Sequence, residues 1–142
     1  MHVRTHTPSA RRAAATAELA AIVPLLGLLA IGMVEVSRTI QVKHYLTDAA
    51  RSACRLAILP GSSNDQVTAA TNQTLTGFDI DPADATTSFL VNGVNADAGT
   101  AVQGDKISVK ISVPVAKVSW VAPFIYSHQA VESETLVMMR QL

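Results

Sequence analysis

From Leu19 to Val34 the chain runs for sixteen residues without a charge, and read back to Ala13 the run grows to 22 with Glu18 as its single ionised group. At about 1.5 Å per residue, 22 residues make roughly 33 Å of helix, which is enough to cross a hydrocarbon layer. Pro24, Gly27 and Gly32 would weaken a helix in water but are tolerated in lipid, where neighbouring groups satisfy the freed backbone. A transmembrane helix is therefore expected over residues 13–34. Residues 1–12 hold Arg4, Arg11 and Arg12 with no acidic residue, and read as a basic leader without fixed structure. Beyond the run, Arg38, Lys43, Arg51 and Arg55 are interspersed with Glu35 and Asp48. The unopposed positive charge places the leader on the cytoplasmic side. The competing reading is a secretory signal peptide: the arginines as its basic end, Leu19 to Leu29 as its apolar stretch, and cleavage after Ala30-Ile31-Gly32, before Met33. The acidic Glu18 at the start of that stretch and the lack of any break after the site weigh against it.

The charge distribution narrows the partners further. Eleven Lys+Arg balance eleven Asp+Glu over 142 residues, but residues 1–59 carry seven basic and three acidic groups while the remainder carries four and eight. The two parts are thus +4 and −4. A nucleic-acid binder concentrates its cations on a folded face and not beside an uncharged run, so a lipid bilayer is the expected partner and nucleic acid is not. At this length one compact domain with an accessory segment is the most the chain can hold. The single Cys54 rules out an intramolecular disulfide framework and a Cys-rich zinc site. Alanine supplies 22 residues, more than half of them within the first 59, which suits helices that pack at close range.

After the apolar run, Val42, Leu46, Ala49, Ala53 and Leu56 follow alternating steps of four and three, with Lys43, Asp48, Arg51 and Arg55 largely off that stripe. This is an amphipathic helix with a narrow packing seam, continuing to about residue 59, where Pro60-Gly61-Ser62-Ser63 stops it. From Ala13 it measures 47 residues, roughly 70 Å. Residues 60–142 read as a small α+β head. Ser63 or Asn64 caps a short helix over Asp65–Thr76 with Val67, Ala70 and Leu75 as its apolar face, and Gly77 ends it. Thr86–Val91 and a second strand joined by Asn92-Gly93 form a hairpin, because that dipeptide accepts the positive φ angles of a tight turn. In Lys106–Ala116, Ile107, Val109, Ile111, Val113 and Val115 alternate with polar residues, which predicts a strand with one buried face, Pro114 lying at an edge or exit. Trp120, Pro123, Phe124 and Tyr126 form an apolar connection to a last strand, Val131–Met139, with Glu132 and Glu134 on its outer face.

The N-terminal half resembles the TadE/TadG-like minor pilins, or pseudopilins, of bacterial tight-adherence (Flp-type) pilus systems. The resemblance is carried by Arg11–Leu59. Paired arginines lead into Ala17-Glu18-Leu19-Ala20, a Pro24-containing apolar run follows, Glu35-Val36-Ser37-Arg38 closes it, and Thr47-Asp48-Ala49-Ala50-Arg51-Ser52-Ala53-Cys54-Arg55 comes after. The Gly104-Asp105 turn into an alternating strand and the ending Met138-Met139-Arg140 are similar too. The family implies a pilin-like subunit anchored in the inner membrane by a single helix, its head outside the cytoplasm, working with other pilus-assembly or pilin-like proteins in adhesion or secretion. It also implies prepilin processing after a glycine, with the acidic residue fifth in the mature chain. Counting back from Glu18 puts Ala14 first and Ala13 before the cut, so alanine stands where the family has glycine. The same resemblance gives Glu18 an assembly role, pairing with the N-terminal amine of a neighbouring processed subunit. Read from its residue type alone, Glu18 is an interfacial carboxylate that sits among headgroups or pairs with Arg11 or Arg12, since an unpaired carboxylate at the bilayer centre costs about 2.5–3.5 kcal/mol.

The remaining residues with chemical potential have bland readings. Glu35 and Arg38 stand one turn apart and serve as an interface anchor worth a few tenths of a kcal/mol. Cys54 among alanines reads as a small buried hydrophobe, with an intermolecular disulfide as the alternative. Asp79, Asp81 and Asp84 lack the spacing and glycine of a calcium loop and read as a solvated turn. His2, His6, His44 and His128 have no acidic or thiol partner at ligand spacing. No nucleophile-elbow, zinc-protease or phosphate-loop motif occurs. The expectation is a structural subunit without catalytic residues, metal, cofactor or small-molecule substrate. The alternative is a secreted binding module released by signal peptidase, with Trp120–Tyr126 as its contact surface.

Overall fold

The computed structural model describes residues 8–119 and 129–140, with side chains from Arg12 onward. The chain divides after Val36 into two compact units. Helix α1 runs Pro8–Ala57 and contributes to both. A proline suits a first turn, because the N–H it lacks has no intrahelical acceptor there. The helix therefore takes in Pro8–Arg12, part of the leader that composition predicts to be without fixed structure; residues 1–7 lie outside the described residues.

The second unit, from Ser37 onward, is α+β. The last turns of α1 are followed by α2 (Asn64–Gly77), a 3-10 turn at Pro82–Asp84, and strands β1 (Thr86–Val91) and β2 (Val94–Asn95). A second 3-10 turn at Ala98–Thr100 leads to β3 (Lys106–Pro114), one helical turn α3 (Val115–Val118), β4 (Ala130–Glu132) and β5 (Leu136–Met139). Ser63 caps α2 in a reciprocal box with Gln66, satisfying two backbone donors that a helix start leaves open. Val67 and Leu75 are buried as expected, but Thr71 is the third buried residue and Ala70 is only half-buried. The left-handed residue after the helix is Asp79, at φ 60°, and not Gly77.

The sheet is antiparallel throughout, in the order β2-β1-β3-β4, with β5 also on β3. Asn92 and Gly93 take φ 53° and 83°, the tight turn that the dipeptide predicts. In β3 the inward residues Ile107, Val109, Ile111 and Val113 are fully buried. The strand is shorter than predicted: it leaves the sheet at Pro114, paired with Ala130, and Val115 and Ala116 belong to α3.

The expected last strand is also two strands. Val131 opposes Val113 in β4 and Leu136 opposes Val109 in β5, so three residues, Ser133 to Thr135, face Lys110 and Ile111. That extra residue is a bulge, and it reverses which side chains point inward. Val131 is buried before it, whereas Leu136 and Met138 pack against the core after it. Ser133 closes the gap: its N–H donates to the Ile111 carbonyl at 2.8 Å, and its Oγ accepts from the Ile111 N–H at 3.0 Å. Trp120, Pro123, Phe124, Tyr126 and His128 lie outside the described residues.

One face of α1 covers this sheet together with α2. Val42, Leu46, Ala49 and Ala50 join Leu75, Ile80, Ile111, Val113 and Val131 in one cluster. Ala53, Cys54 and Ala57 join Val67, Phe89, Ile107 and Val109 in the next. The alanines are nearly or fully buried, and their small side chains let the helix backbone come close to β3.

Candidate functional site

In the first unit, every described side chain from Arg12 to Val34 is exposed. Leu19, Leu25 and Leu28 are each more than 60% exposed, and Ile22, Val23, Leu26, Leu29, Ile31 and Met33 are exposed at half or more. A helix that is apolar all round and unburied has no stable place in water, where each large side chain forgoes about 1.5–3 kcal/mol of burial. The segment is long and apolar enough to cross a membrane. Pro24 removes one intrahelical donor and the helix continues past it. Glu18, Ala13 and Ala14 all lie on this exposed surface. Among the described residues Glu18 has no ion-pair partner, and Arg12 does not reach it. Arg12 instead offers its carbonyl to the Thr16 hydroxyl at 2.9 Å.

Within the second unit, the structure brings most of the predicted seam together. Val42, Leu46, Ala49 and Ala53 are buried against the sheet. Leu56 is not among them: it is 38% exposed, and Ala57 takes the inward place. The heptad-like step of three from Ala53 falls short of a full turn, and Cys54 and Ala57 continue a face that drifts with the 3.6-residue turn. Cys54 is fully buried, and its thiol approaches the Ile107 carbonyl at 3.5 Å. Burial raises the thiol's pKa, which keeps it protonated and unreactive.

Arg38 was expected at a membrane interface. Its Nε donates to the Val118 carbonyl at 2.6 Å, tying the start of the second unit's helix to α3. Beside it, a cavity of about 330 Å³ is lined by Tyr45, Phe78, Asp79, Asp81, Asp84 and Lys117. Tyr45 and Phe78 stack with ring centroids 4.5 Å apart and planes 8° from parallel. The acidic turn has internal duties. Asp81 accepts from the Ala83 N–H at 2.9 Å, and Asp84 pairs with Lys117 at 2.9 Å, which raises the lysine's pKa. His44 is exposed on α1; His2 and His6 lie outside the described residues.

Arg140 was missed as a structural residue. It is buried, and its guanidinium donates to the carbonyls of Ala98 at 2.6 Å, Ala101 at 2.8 Å and Leu59 at 2.9 Å. It thereby joins the end of β5 to the chain just past α1. The signal was its parity with Leu136 and Met138, hidden by the bulge. Nearby, Asp105 accepts from the Asn92 amide at 2.8 Å and the Val102 N–H at 2.8 Å. These bonds lower its pKa, Asn92 first, with Arg140 adding a weaker attraction.

Residues 13–55 match a family model described as TadE-like protein. The match covers the apolar run together with the sheet-packing turns of α1 and stops before α2. No curated protein and no solved structure gives a significant match.

Proposed function

We propose, from the TadE-like segment at residues 13–55, that this chain is a minor-pilin-like structural subunit, anchored by one membrane helix, that helps assemble a tight-adherence-type pilus or secretion apparatus. The observation that carries the reading is the all-round apolar, unburied surface of residues 13–34 immediately ahead of a helix face committed to its own head. A helix in which one part is covered by a sheet and the other by nothing needs lipid or partner helices around the uncovered part. The membrane is the inner one, and the head lies outside the cytoplasm. The work is mechanical: anchoring and packing against other pilus-assembly proteins, with no substrate turned over. Glu18 contributes to assembly, and Ala13 and Ala14 flank the cut if a prepilin peptidase acts.

The second reading, a secreted binding module, also has a structural footing. Cleavage before Met33 would leave the whole second unit, which begins at Ser37, intact. The intact mass and N-terminal sequence of the protein from its natural cell separate the two. A chain starting at residue 1 or 14 supports the anchored subunit; a chain starting at residue 33 establishes release and refutes the anchor.

A further inference from the structure

Asparagine is a chemically labile side chain, and the chain has four: Asn64, Asn72, Asn92 and Asn95. Asn64 and Asn72 lie in α2 ahead of Asp65 and Gln73, and Asn95 ends β2 ahead of Ala96. Each of these three is followed by a side chain that crowds the next backbone nitrogen. Asn92 alone precedes a glycine, in the tight turn where the two residues take φ 53° and 83°. Both are exposed. Apart from chain neighbours, no atom lies within 4 Å of where a Cβ on Gly93 would stand, and among the described residues the Gly93 N–H makes no hydrogen bond. Its nitrogen is open to solvent and unhindered.

The Asn92 side chain, by contrast, is clamped. Its Nδ2 donates to Asp105 Oδ1 at 2.8 Å, and its Oδ1 accepts from the Lys106 N–H at 3.0 Å. The other Asp105 carboxylate oxygen accepts from the Val102 N–H at 2.8 Å, and the Asp105 carbonyl accepts from the Arg140 N–H at 2.9 Å. One amide therefore joins the β1–β2 turn to the chain entering β3 and, through Asp105, to the end of β5.

We infer that Asn92-Gly93 is a site of spontaneous deamidation, gated by release of the Asn92 amide from Asp105 and Lys106, and that its products undo this clamp. The deprotonated Gly93 nitrogen attacks Asn92 Cγ and forms the N–C bond of a succinimide ring, while the Cγ–Nδ2 bond breaks and ammonia leaves with a proton from solvent. Water then opens the ring at either carbonyl, giving aspartate or isoaspartate; nothing is oxidised or reduced. Ring closure needs Cγ turned onto the Gly93 nitrogen, whereas the two hydrogen bonds hold the amide on the residues that open β3. The aspartate product puts a carboxylate oxygen where Nδ2 donated, facing the Asp105 carboxylate, and like charges at that range repel. The isoaspartate product adds a methylene to the main chain, which a two-residue turn with Val91 opposite Val94 has no room for without breaking register. The site belongs to the second unit alone and stands whether or not residues 13–34 span a membrane.

The test incubates the full chain in uncharged detergent micelles, well below its Tm, at neutral and mildly alkaline pH. Peptide mass mapping follows amide-to-acid conversion at each asparagine, and an isoaspartyl-specific carboxyl methyltransferase marks the rearranged product. Conversion should appear first at Asn92, well ahead of Asn64, Asn72 and Asn95, should quicken as pH rises, and should yield methylatable product. Asp105→Ala should speed it by about tenfold or more, the equilibrium worth of a hydrogen bond to a charged group. Ala53→Phe weakens the head away from this turn and should leave the Asn92 rate near parental, because the clamp opens locally. Asn92→Asp, which makes the first product directly, should lower the Tm of the head. Earlier conversion at another asparagine, an Asn92 rate unmoved by Asp105→Ala, equal acceleration by Ala53→Phe, or a parental Tm for Asn92→Asp would each overturn the inference.

Discussion

Arg140 shows how much one side chain near the end of the chain can organise. Its three carbonyl acceptors come from Leu59 and from the turn around Ala98, segments far apart in sequence. Arg140→Met leaves those carbonyls without a donor and should destabilise the head by about 2–4 kcal/mol, as read by denaturant unfolding. Arg140→Lys should recover only part of this, since an ammonium cannot reproduce the guanidinium fork. Asp105, beside it, sets an acid limit. Its pKa is lowered in the fold, so its contribution is fully present above the ordinary aspartate value of 3.8 and is lost as pH falls through the lower folded value. Asp105→Asn should therefore flatten the loss of Tm below about pH 4. Lys117 works in the opposite sense: its raised pKa keeps its contribution present below 10.5, and that contribution is lost as pH rises past the folded value.

The elements were legible where one period dominated. The alternation from Ile107 to Val113 gave β3, the Asn92-Gly93 pair gave its hairpin neighbours, and Ser63 with Gln66 gave the start of α2. The misses arose where two periods meet. The bulge at Ser133–Thr135 inserts one residue, so Glu132 and Glu134 kept their outward places while Leu136 and Met138 changed sides. Leu56 was placed inward by carrying a 3.5-residue repeat too far along a 3.6-residue helix. The cavity beside Tyr45 was not legible at all, because it joins α1, the turn after α2 and α3. At this scale the packing of α1 is the sharpest target. Ala53 is 1% exposed between α1 and the sheet, and Ala53→Phe should overfill that space at a cost of about 1–3 kcal/mol, read as a lower Tm. Leu56→Phe, on the exposed side, should leave Tm nearly unchanged.

For the whole molecule, composition and order of features said more than any single site. The uncharged run, the basic leader and the small-residue seam together pointed to a TadE-like segment, and residues 13–55 match that family. Glu18 belongs to this scale because its proposed role lies between molecules. It sits in the first unit, so the head's own fold does not draw on its charge. Glu18→Gln should insert at least as well as the parent, leave head stability unchanged, and lower co-purification with pilus-assembly proteins. Normal assembly by the variant in cells lacking the parental copy would return Glu18 to a headgroup residue.

The central claim is that residues 13–34 span the membrane and that the head lies outside the cytoplasm. Protease added to intact spheroplasts tests it most directly. The account predicts that residues 60–142 are shaved from the outside while an N-terminal fragment containing residues 13–34 survives in the membrane pellet. Recovery of the full chain in the soluble periplasmic fraction, or a head protected until the spheroplasts are lysed, would contradict it.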